Sequence, residues 1–100
     1  MSETVLPNVP YEGKFESIDD FKWSMMCGGE INFVWKGVTY YAFGRETKTP
    51  DAKEQMLVGV VGDPDQDLWA DTADEILEYN VGGDRLRDVI TQVVVTDRTI

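Results

Sequence analysis

Between Glu30 and Phe43 polar and apolar positions alternate with a period of two. Ile31, Phe33 and Trp35 alternate with Glu30, Asn32 and Val34; after Lys36-Gly37, Val38, Tyr40 and Ala42 alternate with Thr39, Tyr41 and Phe43. Two aromatic-rich runs around a short X-Gly turn predict a β-hairpin. Large residues stand on both faces, so one face is expected to be only partly buried. Before the hairpin, Ile18, Phe21 and Met25 recur at helical spacing. Ser17 can accept from the first-turn N–H groups, Asp19 and Asp20 complement the helix dipole, and Gly28-Gly29 supplies a stop.

After the hairpin, Gly44 to Lys53 is polar, holds Pro50 and predicts a loop. The continuous apolar run in residues 54–62 (EQMLVGVVG) predicts a third strand with a central place in the sheet. Asp63 to Asp71 reads as an acidic loop. Thr72-Ala73-Asp74-Glu75 predicts a capping box, with Thr72 as N-cap and Glu75 reaching back, opening a short helix that turns Ile76, Leu77 and Tyr79 inward. Asn80-Val81-Gly82-Gly83 breaks it, and Asp84 can cap a second helix carrying Leu86, Val89 and Ile90. Val93-Val94-Val95-Thr96 favours a final strand. Residues 1–14, with Pro7, Pro10 and Gly13, predict an extended arm. The expected whole is that arm followed by a single α+β domain over 15–100, with a small antiparallel sheet of three to four strands and two to three short helices.

Charge changes the picture more than composition does. The chain of 100 residues has a net charge of −10, with seven acids and five bases in residues 1–50 but twelve acids and four bases in residues 51–100. Affinity for DNA, RNA or anionic membrane comes from Lys and Arg, so direct binding to any of these is not expected. There is no His and one cysteine, Cys27. That removes the commonest general base, every Ser-His or Cys-His pair and the usual zinc site. A P-loop is missing too, since the sequence VGGDRL at 81–86 lacks the Lys and the spacing. A glycosidase-type carboxylate pair needs a cleft for which a chain of this size has little room. A non-enzymatic protein without cofactor is expected. The absence of a charged-then-apolar leader in MSETVLPNVP and of a membrane-length apolar run implies a cytoplasmic setting, and a single cysteine, read as a small buried residue, fits a reducing compartment.

The charge concentrates between Asp63 and Tyr79, which hold seven carboxylates and no base: Asp63, Asp65, Asp67, Asp71, Asp74, Glu75 and Glu78. Leu68, Trp69, Ile76 and Leu77 lie among them, which ties the acids to a folded scaffold. Duplex DNA carries one charge per ~1.7 Å of axis, and carboxylates at comparable density can occupy a basic nucleic-acid-binding groove on another protein. The expected contacts are Asp65, Asp67, Asp71, Asp74 and Glu78, with Trp69 as an anchor. A second reading is calcium chelation, because Asp63, Asp65, Asp67, Asp71 and Asp74 occupy positions 1, 3, 5, 9 and 12 of an EF-hand-like loop; Leu68 in place of the turn glycine counts against it. A third is a toxin-immunity protein matched to a basic toxin. Phe33, Trp35, Tyr40, Tyr41 and Phe43 would suit a base-stacking platform only in basic surroundings, so core packing is the expectation for them.

Residues 15–43 (FESIDDFKWSMMCGGEINFVWKGVTYYAF) and 72–100 (TADEILEYNVGGDRLRDVITQVVVTDRTI) together resemble small acidic proteins encoded by gut Firmicutes and their phages and mobile elements. The resemblance is one of pattern: helix, Gly-Gly, hairpin, then capped helix, Gly-Asp, helix, Val-Thr. It extends to anti-CRISPR proteins in size and charge. It implies a cytoplasmic inhibitor in a bacterial host that occupies the DNA-binding surface of an RNA-guided nuclease, and it assigns no residue.

Overall fold

The structure is a computed structural model that describes residues 13–99. The expected arm therefore lies outside the described residues except for Gly13 and Lys14. Gly13 pairs with Val95 through two backbone hydrogen bonds of 2.9 and 2.7 Å. The first helix, α1 (Ile18–Met26), starts where the sequence places it. The Ser17 hydroxyl accepts from the Asp20 N–H, and Asp19 and Asp20 stand in the first turn.

Strands β1 (Glu30–Trp35) and β2 (Val38–Glu46) form the expected hairpin, in register from Glu30 opposite Phe43 to Trp35 opposite Val38. Lys36 and Gly37 turn with φ of 50° and 79°, a two-residue loop whose twist matches that of the flanking strands. β3 (Gln55–Val60) pairs with β2, and β4 (Asp63–Ala70) pairs with β3. After α2 (Ala73–Ile76), a two-stranded ribbon of β5 (Asn80–Val81) and β6 (Asp84–Arg85) leads to α3 (Leu86–Val89) and then β7 (Val94–Arg98). β7 returns to pair with β1, giving a five-stranded antiparallel sheet in the order β4-β3-β2-β1-β7. The fold is α+β, with one more strand in the main sheet than the upper expectation.

Alternation assigns the two faces of the sheet. Ile31, Phe33, Tyr40, Ala42, Val58, Ala70 and Val95 point to one side and bury against Phe15, Phe21 and Met25, against Ala73, Ile76 and Leu77, and against Leu86, Val89 and Ile90. Removing the larger aliphatic and phenylalanine side chains among these from water stabilises the fold by about 1.5–3 kcal/mol each. The three helices of the described residues all contribute to this apolar cluster. α1 reaches it by seating its last turn on β2 at Gly44, where an added side chain would collide with the Met25 carbonyl.

Four sequence expectations are corrected. Asp63 to Asp71 is not a loop: Asp63–Ala70 is strand β4, at the edge of the sheet. Val60 faces Asp63 while Val58 faces Leu68, so β4 spends three more residues than β3 over the same stretch and bulges. A bulge, Pro64 and exposed acids are devices that keep an edge strand from pairing with another chain, which gives these acids a structural role. Asp84 does not cap a helix; it pairs in β6, and α3 begins after Arg85 with no side-chain cap. Cys27 is exposed rather than buried. The hairpin aromatics divide between the two faces. Phe33 and Tyr40 are core residues stacked at 5.2 Å between ring centroids, whereas Tyr41 and Phe43 lie on the other side.

Candidate interaction surface

The second face of the sheet carries no helix among the described residues. Its side chains can be followed across the strands in rows fixed by register. One row runs from Glu30 to Phe43, Leu57 and Trp69. A neighbouring row runs from Asp97 to Asn32, Tyr41 and Gly59, ending at Asp67 on β4. A third holds Val94, Val34 and Thr39, with Val61 hydrogen-bonded beside Thr39. Leu57 is buried but belongs to this face, outside the main core cluster; Phe43 and Trp69 flank it directly. Tyr41 and Phe43 stack with centroids 5.3 Å apart at 17°. The face is thus an aromatic and aliphatic ground with carboxylates at both margins. Its outermost strands stand about 19 Å apart at the usual spacing of sheets.

Two contacts define its β4 margin. The Tyr41 hydroxyl donates to the Asp67 carboxylate directly above Gly59, where any side chain would strike both groups. Burial, and then the adjoining Asp67 carboxylate, push the Tyr41 phenol up to about 12. Beside this pair the Lys48 ammonium lies 5.6 Å from the centre of the Trp69 ring. The face therefore already holds a cation on an aromatic ring, a contact worth about 0.5–1 kcal/mol where water reaches it.

The six residues expected to contact a partner do not share one surface chemistry. Asp65 is exposed on β4, and its carboxylate, like that of Asp63, has no ion-pair or hydrogen-bond partner among the described residues. Asp67 and Trp69 belong to the helix-free face. The other three are neutralised by cations distant in sequence. Asp71 pairs with Lys53 at 3.2 Å and accepts from Gln55 at 3.1 Å. Asp74 pairs with Lys22 at 3.1 Å and Arg87 at 3.5 Å, and Glu78 with Arg87 at 2.9 Å and Arg85 at 3.3 Å. Hydrogen bonds from Lys53, Lys22 and Arg87, respectively, are the leading causes that hold these three carboxyls below their ordinary range. Glu75 closes the capping box, accepting from the Thr72 N–H at 3.1 Å while the Thr72 hydroxyl accepts from the Glu75 N–H at 3.2 Å.

The geometry gives the calcium reading no support. Asp63 to Ala70 is extended strand rather than a chelating turn, and Asp71 and Asp74 are engaged by Lys and Arg. No group of three or more His, Cys, Asp or Glu among the described residues could hold a metal ion. Tyr41, Phe43, Leu57 and Asp97 are the residues of this face that the linear reading did not bring together. The signal for them was present in the two-sided alternation of the hairpin, which requires that one aromatic face lie away from the core.

Comparison of the chain with protein-family models, curated proteins and solved structures finds no match to any of them.

Proposed function

We propose that the protein is a non-enzymatic binding protein that occupies a basic, nucleic-acid-binding surface of a protein partner through the helix-free face of its sheet. The observation that carries this reading is the makeup of that face. It has a large apolar and aromatic ground, carboxylates from Glu30 and Asp97 at one margin and Asp67 at the other, and a ring, Trp69, that already accepts an ammonium. Arg and Lys side chains of a nucleic-acid-binding groove present both parts of the complement. Their stems and planar guanidinium groups lie on aromatic rings, and their charges meet carboxylates. Electrostatic steering from a net charge of −10 speeds the encounter.

This reading keeps Asp65, Asp67 and Trp69 as contacts. Asp71, Asp74 and Glu78 become structural, because a carboxylate already paired with two groups has less field to offer a partner. The most specific form is inhibition of an RNA-guided nuclease by competition with DNA in a bacterial cytoplasm, the setting that the sequence resemblance implies. The test is target-DNA cleavage by guide-loaded nucleases from Firmicutes, with increasing amounts of the protein. Inhibition that weakens as target DNA or salt is raised, and that is lost in an Asp65→Lys, Trp69→Ala variant, supports it. Inhibition indifferent to DNA concentration, or no inhibition of any nuclease, contradicts the nuclease form.

A further inference from the structure

The opposite side of the molecule carries a second, independent surface. Trp23 is 55% and Met26 64% exposed, the two most exposed large apolar side chains of the described residues. They follow Asp19 along one stripe of α1 at spacings of four and three residues, and the exposed Cys27 completes it. Asp19 marks the N-terminal end of the stripe. Arg45 marks the other end, its side chain lying against Gly28 just beyond the last turn. Neither Asp19 nor Arg45 has an ion-pair partner among the described residues.

We propose that two copies of this chain associate by antiparallel packing of α1 against α1. The stripe is self-complementary in the sense that a two-fold axis requires: negative at one end, apolar in the middle, positive at the other. Asp19 and Gly28 are nine positions apart, about 13 Å of helix. An axis passing between Trp23 and Met26 exchanges the ends, so that Asp19 meets the partner's Arg45 and Arg45 meets the partner's Asp19, while the indole and thioether groups pack in the centre. A single nine-residue helix covers less than the ~800 Å² per partner of a standard interface, so the dimer is weak and forms at high concentration. The net charge of −10 on each copy opposes it, but at physiological ionic strength repulsion beyond about 8 Å is largely screened while the two contact pairs are screened less. Because α1 packs on the core side of the sheet, both helix-free faces remain open in the dimer.

Sedimentation equilibrium of the full chain from about 10 µM to about 1 mM tests this, with a dissociation constant expected near ~10⁻⁴ M. Trp23→Ser and Met26→Glu, both at exposed positions, are each expected to weaken association at least tenfold. Asp19→Arg and Arg45→Glu are each expected to weaken it, and the double variant Asp19→Arg, Arg45→Glu to restore it, with circular dichroism confirming that each is folded. A chain that stays monomeric throughout, or a double variant no better than either single one, overturns the proposal. Neither result bears on the helix-free face, whose binding is read separately with monomer.

Discussion

The Tyr41 phenol donates to the Asp67 carboxylate across the bare backbone of Gly59, linking β2 to the edge strand β4 over the strand between them. This contact fixes the acidic margin of the helix-free face beside its aromatic ground, and it has a measurable consequence. Tyr41 is expected to ionise near 12, above its ordinary value of 10. In Asp67→Asn the burial contribution remains but the carboxylate is lost, so the phenol moves down while staying above 10. Ultraviolet titration of tyrosinate absorbance checks it. A phenol raised in the folded state stabilises the fold fully below pH 10, and that contribution is lost as pH rises toward 12. Wild-type stability should therefore fall over that window more steeply than that of the Tyr41→Phe variant.

Gly59→Ala should break the same contact sterically. The new methyl group would occupy the space of both the Asp67 carboxylate and the Tyr41 hydroxyl. Overpacking of this kind costs about 1–3 kcal/mol. Urea denaturation is expected to show that loss, together with a Tyr41 titration shifted downward. A variant as stable as the wild type would show that the face accommodates a side chain there.

Thr72→Ala removes one half of the capping box of α2 and is expected to cost about 1 kcal/mol in thermal or urea unfolding. Binding through the helix-free face should be unchanged, since Thr72 and Glu75 bond only to one another and to the local backbone in this turn.

The acid limb of stability should depend on Asp20. Arg98 holds it through two hydrogen bonds of 2.6 and 3.2 Å and lowers its pKa from 3.8, while lying 4.8 Å from the centre of the Phe15 ring. A carboxyl depressed in the folded state stabilises the fold above its unfolded value, and that contribution disappears as pH falls through the folded value. Asp20→Asn is expected to lose about 1–3 kcal/mol at neutral pH and to flatten the decline in stability below pH 3.8. Denaturant midpoints across pH 2–7 read both effects.

The parts of this fold set by neighbours in sequence were legible before the structure. The hairpin, the Ser17 cap and the Thr72–Glu75 box each depend on residues within a few positions of one another. Strand β4 was not legible, because Asp and Pro are poor strand formers and their use there follows from its edge position, which only the sheet order reveals. Neutralisation of the acidic run was hidden for a similar reason. Lys22 reaches Asp74 from 52 residues away, and Arg87 reaches Glu78 from nine. A run without bases in sequence is not a surface without bases in space, so the candidate contacts shrink to Asp65, Asp67 and Trp69 and gain Tyr41, Phe43 and Asp97.

The central claim is that the helix-free face accepts cationic side chains. The most direct measurement is amide chemical-shift mapping of the isotopically labelled protein titrated with a short arginine-rich peptide. The predicted result is saturable shifts at Asn32, Tyr41, Phe43, Leu57, Asp67 and the Trp69 indole, reduced in Trp69→Ala. Shifts confined to Asp71 through Asp88, with the sheet face silent, would contradict it.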